Sequence, residues 1–110
     1  MRLSYGSTSF LFSGDLPQPE EEHAVSLDSE ALHSDVLKLG HHGSRTSSSE
    51  EWLRAASPAV AVASVGKNNR YGHPHKEVVD LLVRLGIPLL LTMDEGTIIF
   101  ESDGQNIIRQ

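Results

Sequence analysis

The sequence contains no cysteine, which excludes a disulfide framework and any thiolate metal site. Aromatic residues are scarce, with three Phe, two Tyr and one Trp in 110 residues. No apolar run approaches the roughly 20 residues of a membrane span. The N-terminal stretch MRLSYGSTSF lacks the basic-then-apolar pattern of a secretory signal. The segment is therefore expected to be soluble and to make no membrane contact of its own, which leaves a membrane-embedded parent open. Internal repeats and low-complexity tracts are also missing. The hydrophobic content is a modest 38%, and the length suits one small domain or a piece of a larger one.

The net charge of −6 is unevenly spread. Residues 15–35 carry seven acids and no Lys or Arg. Residues 38–76 carry six basic residues (Lys38, Arg45, Arg54, Lys67, Arg70, Lys76) against two acids (Glu50, Glu51), a net of +4. This is either an ordinary solvated surface or a face turned towards an anionic group such as phosphate.

Residues 2–12 read as two short strands, RLSY and SFLF, joined at Gly6-Ser7. Ser13-Gly14 breaks the second and leaves Asp15 at its C-terminal end. Pro17 and Pro19 mark a loop before a helical stretch, EEEHAVSLDSEAL. DVLKLG (35–40) is a short buried strand that ends on His41-His42-Gly43-Ser44. Ser47 or Ser48, with Glu50 or Glu51 three residues on, forms a capping box for a helix to about Ala56, which stops before Pro58. AVAVASV (59–65) suits a strand covered on both faces. GKNNRYGHPH is loop by composition. Residues 75–85 form an amphipathic helix with Val78, Val79, Leu82 and Leu85 on one side and Gly86 beyond its end. PLLLT is a strand, and GTIIFES and QNIIRQ form a hairpin across Asp103-Gly104. Strand and helix alternate through the middle, which predicts an α/β layered arrangement.

Three motifs sit at strand ends: SGD (13–15), HHGS (41–44) and NRYGHPH (69–75). Ligands gather at the C-terminal ends of strands in layered α/β folds. Carboxylate oxygen and imidazole nitrogen are zinc and manganese donors. Asp15 also suits a turn or a cap, and His75 suits the start of the next helix. Pro74 stiffens the link between His73 and His75. His23 and His33 lack companions and read as surface residues. Ser47 and Ser48 read better as caps than as nucleophiles. Lys67, Asn68, Asn69, Arg70 and Tyr71 are donors for phosphate oxygens or simply a solvated loop, with Arg70 suited to a two-pronged contact. Only Trp52 and Tyr71 lie near these motifs, too few for an evident base-stacking platform.

FLFSGD, DVLKLGHHGSRTSSS, PAVAVASVGKNNRYGHPHKEVVDLL and GTIIF together resemble the second half of the metallo-β-lactamase-type domain of ComEC-family competence proteins, membrane proteins of bacterial DNA uptake. The resemblance runs from about Leu3 to Gly104. It implies a partial metallo-β-lactamase fold, with residues 1–110 as the C-terminal half of such a domain: one αβ half, a layered mixed sheet with helices. It implies that Asp15 bridges two divalent metals, Zn or Mn, in the parent, and that His42 is a metal ligand. It implies that His41 contacts the scissile phosphate or stands behind the ligands, and that His73, assisted by Arg70, contacts substrate or supports the site. The family's upstream HxHxDH cluster has no counterpart in this sequence.

Two ligands are fewer than the four that zinc prefers, so this segment is expected to bind metal weakly or not at all and to be inactive alone. The parent is expected to be a hydrolase acting on a phosphodiester such as single-stranded DNA, at the extracytoplasmic face of the bacterial inner membrane. The alternatives are a secreted hydrolase of a small ester or lactone, and a non-catalytic DNA- or protein-binding module with a vestigial metal site. The expected partners are DNA, the upstream half of the same domain, and a second copy paired through exposed strand edges.

Overall fold

The computed structural model describes residues 1–110. Seven strands and four helices follow the expected alternation: β1 (Arg2–Tyr5), β2 (Thr8–Phe12), α1 (Gln18–Asp28), β3 (Val36–Lys38), α2 (Glu50–Ala56), β4 (Val60–Ala63), α3 (Lys76–Leu85), β5 (Leu89–Leu91), α4 (Thr92–Glu95), β6 (Phe100–Ser102) and β7 (Ile107–Arg109). The class is α/β with a mixed sheet. Strands β1 to β5 lie side by side in chain order, and β6 pairs with β7 in a separate two-stranded sheet. The β1–β2 pair is antiparallel, whereas β2, β3, β4 and β5 are mutually parallel. Their C-terminal ends therefore form one common rim.

Residue alternation divides the sheet into two faces. Leu11, Leu37, Ala61 and Ala63 are buried in one core with Trp52, Leu53 and Ala56 of α2 and Val78 and Leu82 of α3. Ala24 and Val25 of α1 pack against the same core. Val62 points the other way and is also buried, so β4 is covered on both faces, as its apolar run implies. The second face is covered by the β6–β7 hairpin. Phe100 meets Phe10 edge-on at 6.4 Å, and the two hairpin tips are tied by Ser7 N–H to Gly104 O at 2.7 Å and by the Thr8 and Ser102 hydroxyls at 2.6 Å.

Local details differ from the sequence reading. Pro19 is not loop but sits in the first turn of α1, where the missing N–H costs nothing and its φ is already helical. The stretch after Asp28 does not continue as α-helix; it tightens into a 3₁₀ turn at Glu30–Leu32. The cap of α2 is Ser49, whose side chain accepts from Trp52 N–H; Ser47 instead donates to Leu16 O at 2.7 Å. Ser48 and Ser49 direct their N–H groups at the fully buried carboxylate of Glu21, at 2.8 and 2.9 Å. The Glu21 carboxyl from α1 thereby supplies acceptors for N–H groups at the N-terminus of α2. The one-turn α4 had no sequence signal. The Thr92 hydroxyl at its start accepts from Val65 N–H and donates to Val65 O, at 2.8 and 2.9 Å, which braces the chain leaving β4.

Candidate functional site

The three motifs meet on the rim. SGD follows β2, HHGS follows β3, and the loop holding NRYGHPH follows β4, all at C-terminal strand ends. His41 N–H donates to Gly14 O at 2.8 Å, and His75 N–H donates to Gly43 O at 3.0 Å, so the HHG turn is stitched to a neighbour on each side. Two glycines make this possible. A Cβ at Gly40 would lie 2.8 Å from Ser13 Oγ, and one at Gly43 would lie 2.7 Å from the Pro74 Cβ. Gly43 also has φ +82, a conformation that side chains resist.

Between these glycines His41 and His42 both have left-handed backbone, with φ of 48 and 55. This conformation costs a non-glycine residue roughly 1–2 kcal/mol each. Strain of this kind persists where surrounding structure enforces it, and it concentrates at functional sites. Here the strand ends at Lys38, earlier than its apolar pattern suggested, and the turn lifts both imidazoles to the surface.

Asp15, His41, His42, Ser44, Thr46, Tyr71, His73 and His75 line one open cleft of about 550 Å³. Four of the five residues expected to act, Asp15, His41, His42 and His73, are thus brought together. Arg70 is not: it stands outside the cleft wall, exposed, with its Nη2 donating to the Tyr71 hydroxyl at 2.9 Å. His73 is the hub. Its ring centroid lies 5.8 Å from His41, 6.3 Å from His42, 5.7 Å from Tyr71 and 4.7 Å from His75. Burial first, and then the neighbouring His75, His41 and His42, hold its pKa below the ordinary 6.5.

Hydrogen bonds separate the imidazoles by capacity. The Nδ1 of His42 is 2.7 Å from Ser64 O. A carbonyl only accepts, so Nδ1 carries the proton and Nε2 keeps its lone pair, the arrangement found behind metal-ligating histidines. His41 Nδ1 lies 3.3 Å from the Thr46 hydroxyl, itself 2.9 Å from Ser44 Oγ. His75 differs. Its Nδ1 accepts from Arg45 N–H at 2.9 Å and its Nε2 donates to Tyr71 O at 3.0 Å. Both nitrogens are committed, and His75 serves to fasten the HPH loop to the HHG turn. Asn69 is likewise taken up internally: it donates to Gly66 O and His73 O and accepts from His73 N–H. The half-buried Lys38 has its pKa lowered by burial, with the charge of Asp15 acting in the opposite direction.

An exposed carboxylate and an exposed imidazole with a free Nε2 fit zinc or manganese in kind. They fall short in number, since no three acidic or histidine side chains converge as a cage. Sequence reasoning missed Ser64, because its role belongs to a backbone carbonyl, and it missed the hydroxyl pair that orients His41. Spacing alone could not distinguish the saturated His75 from the open His42.

No family model and no solved structure matches the chain. It is 43% identical over 96 residues to ComE operon protein 3 of Bacillus subtilis and 44% identical over 100 residues to competence protein ComA of Neisseria gonorrhoeae. It is also 40% identical over 80 residues to recombination protein 2 of Haemophilus influenzae. These alignments cover 87%, 91% and 72% of this chain but only 12%, 14% and 10% of the relatives, respectively. The chain is related in sequence to one short segment of much longer proteins.

Proposed function

We propose, with relation to competence proteins as the premise, that this chain forms one side of a metal-dependent phosphodiesterase site in a DNA-uptake protein, within the C-terminal half of a metallo-β-lactamase-type domain. The carrying observation is the convergence of Asp15, His41, His42 and His73 in one cleft on the C-terminal rim of four parallel strands. Asp15 and His42 Nε2 would hold a divalent cation, zinc or manganese. When bound, such a cation supplies Lewis acidity and charge neutralisation at a phosphoryl centre. The chain's own groups do the rest. Ser64 O and Thr46 Oγ1 orient His42 and His41. His73, on the wall of the same cleft, is placed to donate a hydrogen bond to a phosphate oxygen or to accept a proton from an approaching water. Lys38 and Arg70 add positive charge near the carboxylate and at the cleft's edge.

The remaining metal ligands would come from an upstream segment. The second sheet face supports that reading, because the β6–β7 hairpin leaves apolar clefts of about 260 and 340 Å³ beside Phe10, Val36, Val62 and Phe100. In this reading the parent is a membrane protein with the segment on the extracytoplasmic side; no helix of the chain itself is long and apolar enough to cross a membrane.

The test is cleavage of single-stranded DNA in Mn²⁺ or Zn²⁺ by the longer protein that carries this segment. Asp15→Ala and His42→Ala should each lower the rate by about 100-fold or more, at or beyond the upper end of the 10–100-fold typical of groups that stand behind metal ligands. Cleavage that survives both substitutions contradicts the assignment. The net positive charge of residues 38–76 also suits a second reading, a DNA-binding module with no catalysis, for which DNA binding without any cleavage is the distinguishing result.

A further inference from the structure

Tyr71 is the one large aromatic side chain on the wall of the histidine cleft, and it is 63% exposed. It also lines a second, smaller cleft of about 210 Å³, alongside Ser64, Val65, Gly66 and Asn69. His42 and His73 are likewise common to both clefts. The three rings form a column: His42 on His73 at 6.3 Å and 21°, and His73 on Tyr71 at 5.7 Å and 23°. The column is a partition lining both clefts, and the exposed Tyr71 ring stands at one end of it. A tyrosine in this position keeps a large part of its ring in water, at the hydrophobic cost of about 25 cal/mol for each Å² of apolar area.

Arg70 adds charge at the same point. Its guanidinium carbon is 5.1 Å from the Tyr71 ring centroid, and Nη2 is fixed on the phenol oxygen at 2.9 Å. Arg54, Lys76, Arg84 and Arg109 all pair with carboxylates, whereas Arg70, like Arg2, Lys38, Arg45 and Lys67, has no carboxylate within ion-pair distance. With His73 against one face of the ring and the Arg70 guanidinium held at its phenol oxygen, the exposed remainder of Tyr71 presents the two groups that a nucleotide needs, a stacking surface for the base and a cation for its phosphate. A base-paired duplex cannot offer its base faces to such a ring, so the arrangement selects an unpaired strand.

We propose that Tyr71 and Arg70 form a stacking subsite for one unpaired base of a DNA strand, next to the histidine cleft that would face the adjoining phosphate. The subsite rests on the phosphodiesterase reading for its place beside the scissile bond, but not for its ability to bind. A strand crossing the partition would lay one base on Tyr71 and leave the backbone on the Asp15 side.

The experiment is fluorescence anisotropy on the chain with a labelled oligothymidylate of about 12 nucleotides, within the site size of single-strand binders. Chelator is present throughout, so that metal plays no part. Tyr71→Ala should weaken binding by about five- to a hundredfold, the range for loss of one base–aromatic stack, while Tyr71→Phe should stay within about twofold, because a phenyl ring still stacks. Arg70→Ala should flatten the log–log salt dependence by about 0.7, the value for one phosphate contact on a single strand. An abasic strand of the same length should bind the unaltered chain as weakly as oligothymidylate binds Tyr71→Ala. The proposal is overturned if Tyr71→Ala binds oligothymidylate like the unaltered chain, if it loses as much affinity on the abasic strand, or if the unaltered chain does not distinguish the two strands. Zn²⁺ binding at Asp15 and His42 in the longer protein that carries this segment, with no Tyr71 effect, removes this subsite alone. A Tyr71 effect with no Zn²⁺ binding by that longer protein removes the phosphodiesterase reading alone.

Discussion

Leu37 and His42 stand close together in the chain and under opposite constraints. Leu37 is fully buried in β3, paired in parallel register with Leu11 and Ala61, and chosen for its fit. His42 is exposed on a left-handed backbone, held there by a carbonyl behind its ring and by glycines with no room for a side chain. The sheet interior is organised to lower free energy. The rim carries strained residues, four crowded imidazoles and an exposed tyrosine, an arrangement that stability alone would not select. The difference teaches where substitutions should remove packing and where they should instead act on backbone strain and on the imidazole cluster.

The largest effect is expected inside. Leu37→Ala should cost about 2–5 kcal/mol, the range for a buried leucine, read as a lowered urea midpoint. Glu21→Ala should follow at about 3 kcal/mol, because two buried N–H groups at the start of α2 lose their acceptor. A Glu21→Ala variant as stable as the unaltered chain would show that the carboxylate is dispensable. On the rim, Gly43→Ala should cost about 2 kcal/mol through positive φ and the collision with Pro74, and should disturb the imidazole resonances of His73 and His75. His41→Gly should do the reverse and leave stability unchanged or raise it by up to about 1 kcal/mol as backbone strain is relieved. A large loss there would abolish the contrast between rim and interior.

The smallest effect is one of pH. Burial raises the Glu21 carboxyl above its ordinary 4.5, against the opposing pull of the Ser49 and Ser48 N–H groups. The folded chain therefore keeps this proton to higher pH than the unfolded chain does. Its stabilising contribution is full below pH 4.5 and is lost as pH rises through the raised value. The stability difference between the unaltered chain and Glu21→Gln should accordingly shift against the unaltered chain as pH rises past that point. A pH-independent difference would contradict the shift.

Elements that depend on local periodicity were legible from residues alone. The alternation of strands and helices, the small-residue strand β4, the Gly86 end of α3 and the DG hairpin all appear where their patterns place them. Boundaries set by tertiary partners were not. The cap of α2 is decided by Glu21, distant in sequence, and β3 ends early because the rim turn is imposed by Gly14 O and Pro74. The candidate site was legible as residue types at strand ends. Which nitrogen each histidine keeps free was not, since it depends on the carbonyl groups of Ser64 and Tyr71, which carry no side-chain signature.

The most direct measurement is a long-range ¹H–¹⁵N spectrum of the imidazoles during Zn²⁺ titration of this segment joined to the upstream half that would supply the remaining ligands. The Nε2 of His42 should shift on metal addition, the shift should vanish in Asp15→Ala, and His75 should stay in its Nε2–H tautomer throughout. A His42 nitrogen that ignores Zn²⁺, or one that responds equally without Asp15, would show that the carboxylate and the imidazole do not share an ion.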